Sequence, residues 1–181
     1  MRMPLLLFAL ILFSTGCSVF DPRKAAEPSG ASTRDFAQYQ DVLDQIRDIY
    51  ISGKSADLAN LLDDNGFLFE GDTLDSLALH PLFRTWDKAT ETQVTVKILS
   101  DSLERIALFN VSANSLFSSA DSNTVEWTYD LTRRDGVRVR GISEFSLRRN
   151  LSRYYLVRWQ DRHDPSAGQE ITWGRWKMEH L

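Results

Sequence analysis

The apolar positions change period along the chain, and each period predicts an element. Phe36, Tyr39, Leu43, Ile46 and Tyr50 recur every three or four residues, with Asp41, Asp44, Gln45, Arg47 and Asp48 between them. That spacing predicts an amphipathic helix, capped by Thr33 or Asp35 and stopped at Ser52-Gly53. A second short helix is expected from Ser55, with Leu58, Leu61 and Leu62 on its apolar side, ending near Asn65-Gly66. Phe67 to Glu70 reads as a short edge strand. Leu74, Leu77, Phe83 and Trp86 suit helical spacing, and Pro81 divides them into two helical turns. From Thr90 the period falls to two: Val94, Val96 and Ile98 alternate with Thr95 and Lys97, then Ile106, Leu108 and Asn110 with Ala107 and Phe109. Val125, Trp127, Tyr129 and Leu131 form another alternating run. Asp135-Gly136, after Arg134, signals a hairpin, beyond which Val137, Val139, Phe145 and Leu147 share a face opposite Arg138, Arg140, Glu144 and Arg148. Further strands are expected over 154–160 and 172–178. Helices followed by strands predict an α+β domain over 35–181, with N-terminal helices packed on a curved antiparallel sheet of four to six strands.

The start of the chain follows another pattern. Residues 1–16, MRMPLLLFALILFSTG, carry Arg2, an apolar run from Leu5 to Phe13 and then small residues, the layout of a secretory signal peptide. The run is about half the ~20 residues of a membrane-spanning helix. Ser14-Thr15-Gly16-Cys17 resembles the lipobox of bacterial lipoproteins, with Ser14 where leucine is usual. The resemblance implies that Cys17 is acylated and becomes the new N-terminus. It also implies attachment to a membrane of the bacterial cell envelope, with Ser18 favouring the outer membrane over the inner. Residues 17–34, which are rich in Pro and small polar residues, read as a flexible tether. Cys17 is the sole cysteine, so no intramolecular disulfide is available.

Charge narrows the partners. The formal net charge is −4 and becomes −5 once Arg2 is removed with the signal. An acidic domain lacks the basic stripe that nucleic acid demands and, on composition, the charge for adhesion to anionic headgroups.

The order of elements, with YYLVRWQD at 154–161 and TWGRWK at 172–177, resembles the nuclear-transport-factor-2-like superfamily over about 36–181. The resemblance implies a cone with a pocket between helices and sheet, where the superfamily's enzymes place an Asp or a Tyr–His–Asp set for proton transfer. By location, Tyr39, Tyr50, Trp86, Tyr129 and Tyr155 are the candidates to line it, and Asp130 or Glu144 would reach it only if the strand faces were reversed. His80, His163 and His180 lack the spacing of a metal site, and no cofactor motif is present. Alternation over 171–178 sets Trp173 inward near Trp159 and Trp176 outward, which makes Trp176, Arg138 and Arg140 the candidate protein interface, either for a homodimer or for an envelope partner. The expectation is a lipid-anchored envelope protein whose domain binds a ligand or a protein without catalysis. The alternative is an enzyme of the ketosteroid isomerase or dehydratase type acting on a small apolar substrate in the cone.

Overall fold

The computed structural model describes residues 35–73, 86–166, 168 and 170–181. The expected signal peptide, Cys17, the expected tether and the expected helical turns around Pro81 lie outside them. The first helix, α1, spans Tyr39–Ser52 and buries Val42, Leu43, Ile46, Ile49 and Tyr50. Its cap is Gln38 in a reciprocal box with Asp41, whose carboxylate accepts the Gln38 N–H at 3.0 Å. Asp35 instead accepts the Ala37 N–H, at 3.2 Å. Gly53 ends the helix at φ +79°, a conformation that glycine takes without strain. A 3-10 helix follows at Ser55–Asn60, then the short strand β1, Leu68–Glu70.

The alternation read across 94–98 belongs to a helix. α2 covers Lys88–Ser100, started by Asp87, whose carboxylate accepts the Thr90 N–H at 2.9 Å. Val94 and Ile98 are four residues apart, a spacing that fits both periods. The cap and the buried set Glu91, Val94, Thr95, Ile98 and Leu99 decide for the helix, and Val96 is left exposed.

Strands β2 (Ile106–Ser118), β3 (Ser122–Arg133), β4 (Arg138–Asn150) and β5 (Arg153–Arg162) make an antiparallel meander. β1 joins it in parallel beside β5, so the sheet is mixed, in the order β1-β5-β4-β3-β2. The turn at 134–136 forms as expected, with Gly136 at φ +86°. Val137 nevertheless points to solvent, because it lies in the turn before β4 begins. Irregularities shift the strand register at three places, and two of them set which side chains reach the core. One between Ile106 and Leu108 puts Phe109 inside and Leu108 outside, and one opposite Ser146/Leu147 lets Trp159 and Asp161 follow Leu156 onto the inner face.

Residues 173–178, expected as a strand, form α3 (Trp173–Met178). The Thr172 hydroxyl accepts the Arg175 N–H at 2.9 Å and caps it. Helical spacing then places Trp173, Trp176 and Lys177 on one face, so Trp176 is fully buried and is no outer-face residue. The Trp173 ring is the hub of the core, edge-on to Tyr50 (4.7 Å), Trp159 (4.8 Å), Tyr129 (5.5 Å) and Phe109 (6.0 Å).

Trp173→Ala should therefore destabilise the domain by about 3–5 kcal/mol in urea unfolding, against under ~0.5 kcal/mol for Val96→Ala on the exposed side of α2.

Candidate functional site

Three elements bring ionisable groups to the centre of the cone. β5 supplies Asp161, α2 supplies Glu91 and α3 supplies Lys177, and none of the three exposes any surface. Asp161 accepts three hydrogen bonds. Oδ1 takes them from the Tyr129 hydroxyl at 2.9 Å and the Ser143 hydroxyl at 2.7 Å, and Oδ2 takes one from the Gly174 N–H at 2.6 Å. Each of those hydroxyls is itself engaged: Tyr129 accepts the Trp173 N–H at 2.8 Å and Ser143 accepts the Trp159 indole N–H at 3.1 Å. The Tyr129 hydroxyl fits only because residue 141 is glycine. A Cβ at Gly141 would lie 2.4 Å from that oxygen and 2.7 Å from the Arg162 carbonyl.

The cation is held on the other side. Lys177 Nζ lies 2.7 Å from Glu91 Oε1 and only 3.3 Å and 4.0 Å from the ring centroids of Trp159 and Phe69. Glu91 also accepts the Trp86 indole N–H at 2.9 Å and the Thr95 hydroxyl at 3.3 Å, and Thr95 lies 3.3 Å from the Tyr50 hydroxyl. Desolvation dominates the titration of Asp161, Lys177 and Tyr50. It pushes Asp161 up to about 6, against its three donors and Lys177. Lys177 goes down to about 8, against Glu91 and Asp161, while burial and then Glu91 raise Tyr50 well above the usual phenol value.

The set has the parts of an acid–base centre, but every acceptor faces a donor from the chain itself. Substrate would have to displace the amides of Trp173 and Gly174 to reach Tyr129 and Asp161. A surface cavity lies elsewhere, about 680 Å³ between the loop before β1 and the start of α2, lined by Asp63, Asp64, Asn65, Phe67, Asp87 and Lys88 among others. Lys88 spans its edge through Asp64 (2.7 Å) and the Leu62 carbonyl (3.0 Å). Among the described residues no group of His, Cys, Asp and Glu is arranged to hold a metal ion.

Of the aromatic candidates, Tyr50, Trp86 and Tyr129 lie in this interior. Tyr39 is half-buried against Tyr154, and Tyr155 points to the outer face beneath Arg153, because it precedes the β5 phase shift. Asp130 and Glu144 are on the outer face. There Arg138 donates to both oxygens of Asp130, holding that carboxyl below its ordinary range, while Arg140 lies 3.7–3.9 Å from Asp130, Asp164 and Glu170. Trp176 is covered by Arg133 and donates to Glu104 at 2.9 Å. Sequence reasoning missed Asp161, Glu91, Ser143 and Lys177. The available signals were the shared face of Trp159 and Asp161, and the i, i+4 relation of Glu91 to Thr95 and of Trp173 to Lys177.

No protein-family model matches the sequence, and no curated protein matches it. Solved structures do resemble the fold. A candidate dehydratase of the nuclear-transport-factor-2-like family from Streptomyces avermitilis aligns with TM-score 0.54 at 14% identity over 73% of this chain and 97% of its own. A candidate aromatic ring hydroxylase from Novosphingobium aromaticivorans gives 0.53 at 14% over 74% and 92%. A protein of unknown function with a cystatin-like fold from Nostoc punctiforme gives 0.50 at 15% over 71% and 90%. The chain thus has the cone fold of these proteins, with helices packed on a five-stranded sheet.

The raised Asp161 carboxyl predicts a pH signature. A carboxyl whose pKa is higher folded than unfolded favours folding most at low pH, and that advantage drains away as pH rises from 3.8 through about 6. Relative to the non-titrating Asp161→Asn, the wild type should lose about 2 kcal/mol of urea-unfolding stability between pH 4 and pH 7. A difference that holds constant between the two pH values would mean Asp161 titrates at its ordinary value.

Proposed function

We propose that the chain is a lipid-anchored protein of the bacterial cell envelope, whose cone is a closed, non-catalytic module that acts in protein interaction. The observation that carries this reading is the seating of α3: Trp173, Trp176 and Lys177 are wholly buried where a ligand would lie in an open cone. The amides of Trp173 and Gly174 meet Tyr129 and Asp161, the groups an acid–base reaction would need. Signal layout, Cys17 and the 17–34 tether support anchoring, with Ser18 favouring the outer membrane.

The second reading is an enzyme of the ketosteroid isomerase or dehydratase type. Asp161, pushed up to about 6 beside Tyr129, favours it. It requires α3 to leave the cone, against the burial of two tryptophans and the Glu91–Lys177 pair.

Native mass spectrometry of the protein purified from its own host separates the two: the module should carry no small molecule beyond its acyl group. A retained ligand, released on collisional activation, would support the open-cone enzyme. Metabolic labelling with a radioactive fatty acid should mark the wild type and leave Cys17→Ser unlabelled. A wild type that takes up no label would refute the anchor.

A further inference from the structure

The β4–β5 turn is unusual for a soluble hairpin. Leu151 stands at its tip, 94% exposed, with a left-handed backbone at φ +58° that glycine or asparagine adopts with less strain. Leu116 and Phe117, at the irregularity near the end of β2, are 47% and 55% exposed. Strand register brings both features to one end of the sheet, with Ser122 opposite Arg148 and Asn150 opposite Arg153. The Tyr154 hydroxyl ties the two turns together by donating to the Ala120 carbonyl at 2.9 Å.

Arginines surround these apolar tips. Arg149 is exposed and forms no ion pair among the described residues. Arg148 shares Asp63 at 3.2 Å. Arg153 donates to the Asn60 carbonyl at 2.8 Å and stacks over Phe36 and Tyr155, with no acid partner among the described residues. Asp121, whose carbonyl accepts the Arg149 N–H at 2.8 Å, is the acid in the neighbouring turn.

The chain also enters the domain at this end. The Phe36 carbonyl accepts the Tyr154 N–H at 2.9 Å, and the Arg153 guanidinium lies 4.5 Å from the Phe36 ring. Asp35 is eighteen residues from Cys17 in sequence. On the anchor reading, the segment that carries the acyl group on Cys17 joins the domain at this end.

We propose that this end of the domain docks on a phospholipid bilayer, with Leu151, Leu116 and Phe117 entering the interface and Arg148, Arg149 and Arg153 meeting anionic headgroup phosphates. Apolar tips flanked by cations are what the headgroup boundary accepts, since the side chains reach acyl carbon while the guanidinium groups stay among the phosphates. The overall charge, −5 without Arg2, does not oppose it, because charges farther than about 10 Å are screened at ordinary ionic strength. The docking rests on the anchor reading for its orientation.

The test uses the full chain with Leu151→Cys, labelled with an environment-sensitive fluorophore; acylated Cys17 has no free thiol to compete. The probe is a phosphatidylethanolamine–phosphatidylglycerol vesicle, with and without acyl-brominated lipid. Bromination should cut emission at position 151 by about half, because insertion of ~5–10 Å brings the label within reach of the acyl chains. A label at Phe117→Cys should respond likewise, and one at Val137→Cys, at the other end of the sheet, should not. Replacing phosphatidylglycerol by phosphatidylcholine should weaken the effect, and so should Arg149→Glu. Emission at 151 that is indifferent to bromine, or that changes through association of protein copies without lipid, would overturn docking. Fatty-acid labelling reports separately on Cys17, so a missing anchor and a missing dock are distinguishable.

Discussion

A lysine ammonium with no surface exposed to water is the constraint around which this domain is arranged. Lys177 can be charged there only because Glu91 supplies the countercharge and the faces of Trp159 and Phe69 supply a polarisable wall. Glu91 in turn needs the Trp86 indole and the Thr95 hydroxyl. Asp161, buried nearby, needs Tyr129, Ser143 and the amide of Gly174. Sheet, second helix and C-terminal helix are thereby bound into one polar network inside an aromatic shell. Removing one charge would leave the other without a partner in a medium that solvates it poorly, which explains why such a network stays whole or is lost whole.

The same network decides what the cone can do. A cone open to substrate leaves its acid and base with unspent hydrogen-bonding capacity; here the C-terminal helix spends it. The titration of Asp161 and Lys177 on either side of neutrality is the sign one seeks in an active centre. In this protein the same sign follows from burial alone, and the closed shell around it directs attention to the surface. There the outer face of the sheet is largely self-satisfied, with Arg138 and Arg140 committed to Asp130, Asp164 and Glu170. The end bearing Leu151 is not, and it is also where the chain joins the domain.

Much of the fold was legible as period and punctuation. The first helix, its stop at Gly53, the edge strand before Glu70, the hairpin at Gly136 and the inward set Val125, Trp127, Tyr129 and Leu131 all follow from local pattern. Two segments were misread for one reason: a short run with apolar residues three or four apart can also be laid out in alternation. At 88–100 and 173–178 the difference was made by an N-cap, Asp87 in one and Thr172 in the other.

Residue order by itself determined the α+β class and the hairpins, because these depend on neighbours along the chain. It did not determine that Asp161, Glu91 and Lys177 would meet. They lie seventy residues and more apart at the extremes, and each looks like an ordinary surface charge in its own segment. Nor did it determine that both tryptophans of the C-terminal helix would face inward. Those facts were decided only when the strand irregularities set the phase of β5 and the cone closed around the helix, since burial and dielectric belong to the packed whole and to no single stretch of sequence.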